Sequence, residues 1–212
     1  MRSTAGRTAR IIVAAGLLVA TATGCLGDVI PGGSDPPPEP APGWEEQAAA
    51  IDGIVNFLAD GPLSQEHQGG PLDYEMLPPV GGVHNNRWMN CQGDVYPEPI
   101  ANEHAVHSLE HGAVWVTYRP DLPGDQVEAL AKRVRGNSHL FMSPFPGLDR
   151  PISLQTWGYQ LKLDDPADPR IDEFIRVLKQ HASPEGMGAP CQDGITSTGT
   201  EPRSGDGPRP GG

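Results

Sequence analysis

Residues 103–118 read EHAVHSLEHGAVWVTY, from Glu103 to Tyr118. Glu103 to His111 predicts one short α-helix, with Asn102 as its N-cap and Gly112 as its C-terminal stop. Ala113 to Tyr118 is β-branched and aromatic, the composition of a strand. The helix is therefore brief and tied directly to a core strand, which places it rigidly at the edge of a sheet. At about 100° per residue, His104, His107 and His111 fall within roughly 60° of one another on one helix face. Glu103 and Glu110 share a second face.

Downstream, Val127, Leu130, Ala131 and Val134 recur at i, i+3, i+4 and i+7 and predict an amphipathic helix over 125–135. His139 to Ser143 reads as a short strand, and Ile152 to Trp157 as another. Tyr159 to Leu163 either continues the latter or bends at Gly158. Ile171, Phe174, Ile175 and Leu178 mark the apolar face of a last helix. Upstream, Trp44, Ala48 and Ile51 suit a short helix, and Ile54 to Leu58 a short strand. Between Gly61 and Ile100 lie about forty residues dense in Gly, Pro and Asn, long for a loop inside a domain. Tyr74, Met76, Trp88, Met89 and Tyr96 give that stretch apolar side chains to bury, so it reads as an ordered, irregular cap over the histidine helix. The fold class expected is α+β: one domain with helices packed on a small mixed or antiparallel sheet, a thioredoxin-like order being its specific form.

The amino end supplies the compartment. Arg2, Arg7 and Arg10 precede a mostly apolar run from Ile11 to Thr23, which is shorter than the about 20 residues of a membrane span and reads as a signal peptide over 1–24. Ala22-Thr23-Gly24-Cys25 resembles the lipobox of bacterial lipoproteins, with Ala22 in place of the usual Leu; this makes Cys25 the lipidation site. Residues 25–43 then form a Pro- and Gly-rich tether, 44–191 the globular domain, and 192–212 a disordered tail. The expected location is the extracytoplasmic face of the cell membrane, through a lipid on Cys25, with plain secretion as the alternative. Three cysteines are odd for an exported chain; with Cys25 lipidated, Cys91 and Cys191 could form a disulfide. The alternative for Cys91 is a thiolate ligand, which a disulfide excludes. Without the leader's three arginines the chain has 12 basic against 27 acidic residues, a net charge of −15. That argues against nucleic acid as a partner.

Of seven histidines, five lie in the cap or the central helix: His67, His84, His104, His107 and His111. Imidazole suits zinc, copper, nickel and iron, whereas thioether and thiolate favour Cu(I). The expected metal ligands are His104, His107 and His111, completed by His84 and by Met89 or His67 from the cap, with Glu103 and Glu110 orienting ring N–H groups from behind. His107-Ser108-Leu109-Glu110-His111 also matches H-x-x-E-H, the inverted zincin pattern. Gly112 cuts that helix short and no third ligand follows on a suitable helix, so a peptidase is disfavoured. Thiol redox chemistry lacks a C-x-x-C motif.

Several segments closely resemble an uncharacterised bacterial family, domain of unknown function 3105. They are Gly81-Gly82-Val83-His84 with Trp88, Asn90-Cys91, and Val95-Tyr96, followed by the whole run from Glu103 to Trp115. Tyr118-Arg119-Pro120, Ser143 to Leu148, Thr156-Trp157-Gly158 and Ala189-Pro190-Cys191 continue the likeness. One departure is visible: the family runs from Cys directly into Gly-Val-Tyr, whereas Gln92-Gly93-Asp94 intervenes here. The resemblance implies fold and site position, and members that are often exported or membrane-anchored; it implies no activity. The leading functional expectation is a cell-envelope lipoprotein that binds copper or zinc for capture, buffering or transfer. The alternatives are a non-catalytic interaction module built on a structural His/Glu network and, behind it, a metal-dependent hydrolase.

Overall fold

All five residues of the strand Val114–Tyr118 are buried, so the sheet around it must be covered on both faces. The computed structural model describes residues 43–203. The expected leader, Cys25 and all but the last residue of the tether lie outside them. In chain order the elements are α1 (Trp44–Ala49), β1 (Val55–Asn56), a 3₁₀ turn (Phe57–Asp60), β2 (Gln92–Val95), α2 (Asn102–Glu110) and β3 (Val114–Tyr118), then α3 (Gly124–Val134), β4 (Leu140–Pro144), β5 (Ile152–Thr156), β6 (Tyr159–Leu163) and α4 (Arg170–Leu178). One mixed sheet runs β1-β6-β5-β3-β4-β2. β4 is parallel to β3 and to β2, and the other pairings are antiparallel. This is the α+β architecture expected. The thioredoxin-like expectation rests on a β-α-β-β-α order, whereas the run here is β3-α3-β4-β5-β6-α4, with one strand more.

Alternation along β3 separates two cores. Val114, Val116 and Tyr118 join Leu130, Ala131 and Val134 of α3 and Ile171, Phe174, Val177 and Leu178 of α4. Trp115, on the opposite face, joins Phe141 of β4 and Ala105, Val106 and Leu109 of α2, with Met89, Cys91, Cys191 and Ile195. That face is also partly polar. Thr117 donates to Ser153 O at 3.0 Å, Gln155 Nε2 donates to Thr117 Oγ1 at 3.2 Å, and Trp115 Nε1 donates to Ser143 Oγ at 3.0 Å. α2 and the long loop cover it, as expected of the cap: Met89 N donates to His104 O at 3.2 Å and Ser108 Oγ to Met89 O at 3.0 Å.

Several local expectations are corrected. Ala101 is the N-cap of α2, with Asn102 already helical. The stretch 54–58 forms only a two-residue strand before the 3₁₀ turn. Of the two readings of 159–163 the bend at Gly158 is the one formed: Thr156 pairs with Tyr159, so β5 and β6 are a tight hairpin turning at Trp157-Gly158, where Gly158 has φ +76°. The cap contains a strand, β2, that periodicity did not reveal. Its register on β4 shifts between Gln92 and Asp94, with Gly93 at φ +88°, so the departure from the family pattern is absorbed as a β-bulge. The tail does not start at residue 192. Ile195 is buried and bridges Met89, Asn90 N donates to Ile195 O at 2.8 Å, and Gly199 N donates to Pro99 O at 2.7 Å. The buried Ile195 side chain and these backbone bonds, with Arg203 N donating to His104 Nε2 at 3.2 Å, hold the segment to 203 down. Cys91 and Cys191 are disulfide-bonded with Cα atoms 4.9 Å apart, which removes Cys91 as a thiolate ligand. Among the described residues no helix is long and apolar enough to cross a membrane.

Gly112 ends α2 as expected, at φ +84°. Its carbonyl accepts from Gln180 N at 2.8 Å, and a Cβ there would lie 2.8 Å from the Gln180 Cα. Gly112→Ala should therefore cost more than the roughly 1 kcal/mol of a left-handed alanine alone. Urea unfolding should show a lowered midpoint with an unchanged slope; an unchanged midpoint would contradict this packing.

Candidate metal centre

The site is assembled from two carriers, the cap loop and α2. His67 and His84 stand side by side on two extended stretches joined as a parallel bridge. Gln68 N donates to His84 O at 2.8 Å and His84 N to Glu66 O at 3.1 Å. Asn85 locks the stretches together, its Nδ2 donating to Gln68 O at 2.7 Å and to Gly70 O at 3.1 Å. His107 and Glu110 come from α2, one turn apart on adjacent positions of the same face.

One ligand atom from each of His67, His84, His107 and Glu110 lies within 4.8 Å of all the others. Glu110 Oε2 stands 2.9 Å from His84 Nε2, 3.7 Å from His67 Nε2 and 4.0 Å from His107 Nε2. Two donors on one tetrahedral zinc at its usual bond lengths sit about 3.4 Å apart. The three separations from Glu110 Oε2 bracket that value, and the group could hold a metal ion.

The rings are oriented from behind. His84 Nδ1 donates to Gly82 O at 2.8 Å and His107 Nδ1 to Asn85 O at 2.6 Å. A carbonyl oxygen can only accept, so each Nδ1 carries a proton and each Nε2 points into the group; the 2.9 Å bond between His84 Nε2 and Glu110 Oε2 holds a proton that a metal ion would replace. Trp88 lies 4.7 Å from the His111 ring and 5.5 Å from that of His107, and Trp157 lies 5.9 Å from the His84 ring. These indoles exclude water from the walls. The side chains of His84, His107 and Glu110 are 0%, 6% and 3% exposed, but that of His67 is 40% exposed, so solvent reaches the group past His67.

The other expected ligands are placed elsewhere. His104 Nδ1 donates to Arg87 O at 2.8 Å, and its Nε2 accepts from Arg203 N at 3.2 Å. His111 Nδ1 donates to Pro190 O at 2.6 Å, and its Nε2 faces Glu185 Oε2 at 3.3 Å. Met89 lies in the apolar core. Glu103 Oε1 accepts from Leu72 N at 2.9 Å and so anchors the cap loop. Glu110 stands among the ligand atoms, where the sequence reading had it orienting a ring. The inverted zincin geometry is not formed, because His111 faces Glu185 while Glu110 joins His67 and His84. Asn85 was missed; it holds the cap by its side chain and His107 by its carbonyl, and no local pattern announces it.

The fold and site define a single α+β domain whose cap and α2 bring three histidines and a glutamate into a group that could hold a metal ion. The chain belongs to the family described as "Protein of unknown function (DUF3105)", which it matches over residues 65–193. That span includes all four grouped residues and both disulfide cysteines. No curated protein and no solved structure matches the chain.

Burial pushes the His107 imidazole down to about 3 from its ordinary 6.5; its bond to Asn85 O opposes the shift, and the neighbouring His111, His84 and His67 add to it. The ring is thus neutral and ready to ligate at neutral pH. In the unfolded chain His107 takes up a proton near pH 6.5 that the folded chain refuses. The stability carried by the neutral ring is therefore complete above about pH 6.5 and is lost as the pH falls toward 3. Between pH 7 and 4.5 the metal-free chain should lose on the order of 2 kcal/mol more than His107→Asn does, in urea unfolding at the two pH values. Equal losses would contradict the buried neutral ring.

Proposed function

We propose that the chain is a metal-binding lipoprotein of the cell envelope, held at the outer face of the membrane through Cys25, that captures, buffers or hands on zinc or copper. The observation that carries this reading is the convergence of three imidazole Nε2 atoms and one carboxylate oxygen. The donor set contains no sulfur, since Met89 is in the core and Cys91 is in a disulfide. Nitrogen and oxygen donors favour Zn²⁺ and Cu²⁺ over Cu⁺. Four protein donors also fill a tetrahedral ion, as in storage or structural sites, whereas catalytic zinc keeps a position for water. The apolar leader and the Gly-Cys junction at Cys25 support the envelope placement. Secretion without the lipid is the alternative.

The full chain, purified in detergent and stripped by chelator, should take up one Zn²⁺ or Cu²⁺ by elemental analysis. At a hundredfold excess over Kd the gain is about 2.7 kcal/mol, a rise in Tm of about 5–10 °C for a domain of this size. Substoichiometric metal together with an unmoved Tm would remove the reading.

A second reading is a purely structural His/Glu network, favoured by the short buried bond between His84 and Glu110. His67 separates the two, because it is the exposed member and its Nε2 stands 3.7 Å from Glu110 Oε2. In a metal site, His67→Ala should leave the apo-protein within about 0.5 kcal/mol of wild type and weaken metal binding at least tenfold. A structural network predicts the opposite: reduced apo stability and no metal response in either protein.

A further inference from the structure

The loop between α4 and Cys191 crosses the carboxyl end of α2 and brings a second carboxylate to the same cluster. Its ends are tied. Gln180 N donates to Gly112 O at 2.8 Å, Ser183 Oγ donates to Glu110 O at 2.7 Å, and His139 Nε2 donates to Ala189 O at 2.9 Å. Its middle is open, with Met187 72% exposed between Gly186 and Gly188, both at positive φ. Glu185 lies at the start of that open part and is 41% exposed, yet its Oε2 stands 3.3 Å from Nε2 of the buried His111.

The geometry repeats that of the inner group. In one unit Gly82 O holds His84 Nδ1–H, and His84 Nε2 faces Glu110 at 2.9 Å. In the other Pro190 O holds His111 Nδ1–H, and His111 Nε2 faces Glu185 at 3.3 Å. The latter separation matches the about 3.4 Å expected of two donors on one tetrahedral ion. His107 stands between the units, its ring centroid 4.9 Å from that of His84 and 4.7 Å from that of His111. A nitrogen and an oxygen donor beside the inner group, the carboxylate 41% exposed, would bind a divalent ion that keeps most of its water. Such a position is weak and exchangeable, while the inner group, with four donors and indole walls, holds the ion bare. Glu185 also contributes a negative potential beside the cluster, which raises the local concentration of cations.

Resting on the metal reading of the inner group, we propose that His111 and Glu185 form an outer divalent-cation position through which the ion enters and leaves the His67, His84, His107 and Glu110 group. No bond of the protein is made or broken in the transfer; the ion exchanges water for imidazole and carboxylate.

Glu185→Gln keeps the shape of the side chain and removes its charge, and the loop's anchors lie at other residues. Stopped-flow mixing of Co²⁺ with the chelator-stripped full chain, read by the visible bands of bound cobalt, gives the association rate; a chase with excess EDTA gives the dissociation rate. Because one route serves both directions, both rates should fall roughly fivefold to tenfold in the variant while Kd moves less than about twofold. Unchanged rates would overturn the proposal. Faster dissociation with weaker binding would also overturn it, making Glu185 an ordinary ligand of the inner group. So would slower association alone that vanishes at high salt, which marks a steering charge without transfer. A wild-type chain that binds neither Co²⁺ nor Zn²⁺ overturns this proposal and the metal reading together, whereas wild-type binding with kinetics equal to the variant's overturns the outer position alone.

Discussion

The cap is an irregular path with little ladder of its own, and histidine Nδ1–H groups bond four backbone carbonyls in and around it. His84 donates to Gly82, His107 to Asn85, His104 to Arg87 and His111 to Pro190. The bond to Asn85 O is fully buried, and a buried carbonyl left without a donor costs about 1–3 kcal/mol; with the three part-buried bonds it holds the irregular loop over the sheet. They also fix each ring's tautomer and direction. Folding the cap and aiming the Nε2 atoms are one event, because each bond orders the loop at one end and the imidazole at the other. The disulfide and the bridge from Met89 to Ile195 secure the same layer from the far side.

This dual use explains what the sequence could and could not show. The short helix, its stop at Gly112 and the strand behind it were legible because capping and β-branched patterning are local. The flanking helices were legible from their apolar spacing. β2 was not, since Gln92-Gly93-Asp94-Val95 carries one apolar side chain and a bulge and gains strand character only by lying beside β4. The order of the 193–203 segment was hidden for a similar reason: Ile195 alone gives no pattern, and its partner Met89 lies about a hundred residues away.

The candidate site was half visible. His67, His84 and His107 were all among the expected ligands, yet the helix wheel ranked His104 and His111 beside His107. A helix face alone cannot rank them. The deciding fact is where Nε2 points once Nδ1 has taken its carbonyl, and the carbonyls belong to distant segments. The H-x-x-E spacing held the better signal, since it puts His107 and Glu110 side by side on one turn. Glu185 had no signal, standing in a loop of Pro, Gly and Met that reaches the cluster only through the tertiary fold.

The central claim is that three imidazoles and one carboxylate, without sulfur, hold one transition metal ion. X-ray absorption at the zinc edge of the zinc-loaded full chain tests it most directly. The account predicts three imidazole nitrogens at about 2.0–2.1 Å with one carboxylate oxygen at about 2.0–2.2 Å. A shell near the roughly 2.3 Å of sulfur, or fewer than three imidazoles around the ion, would contradict it.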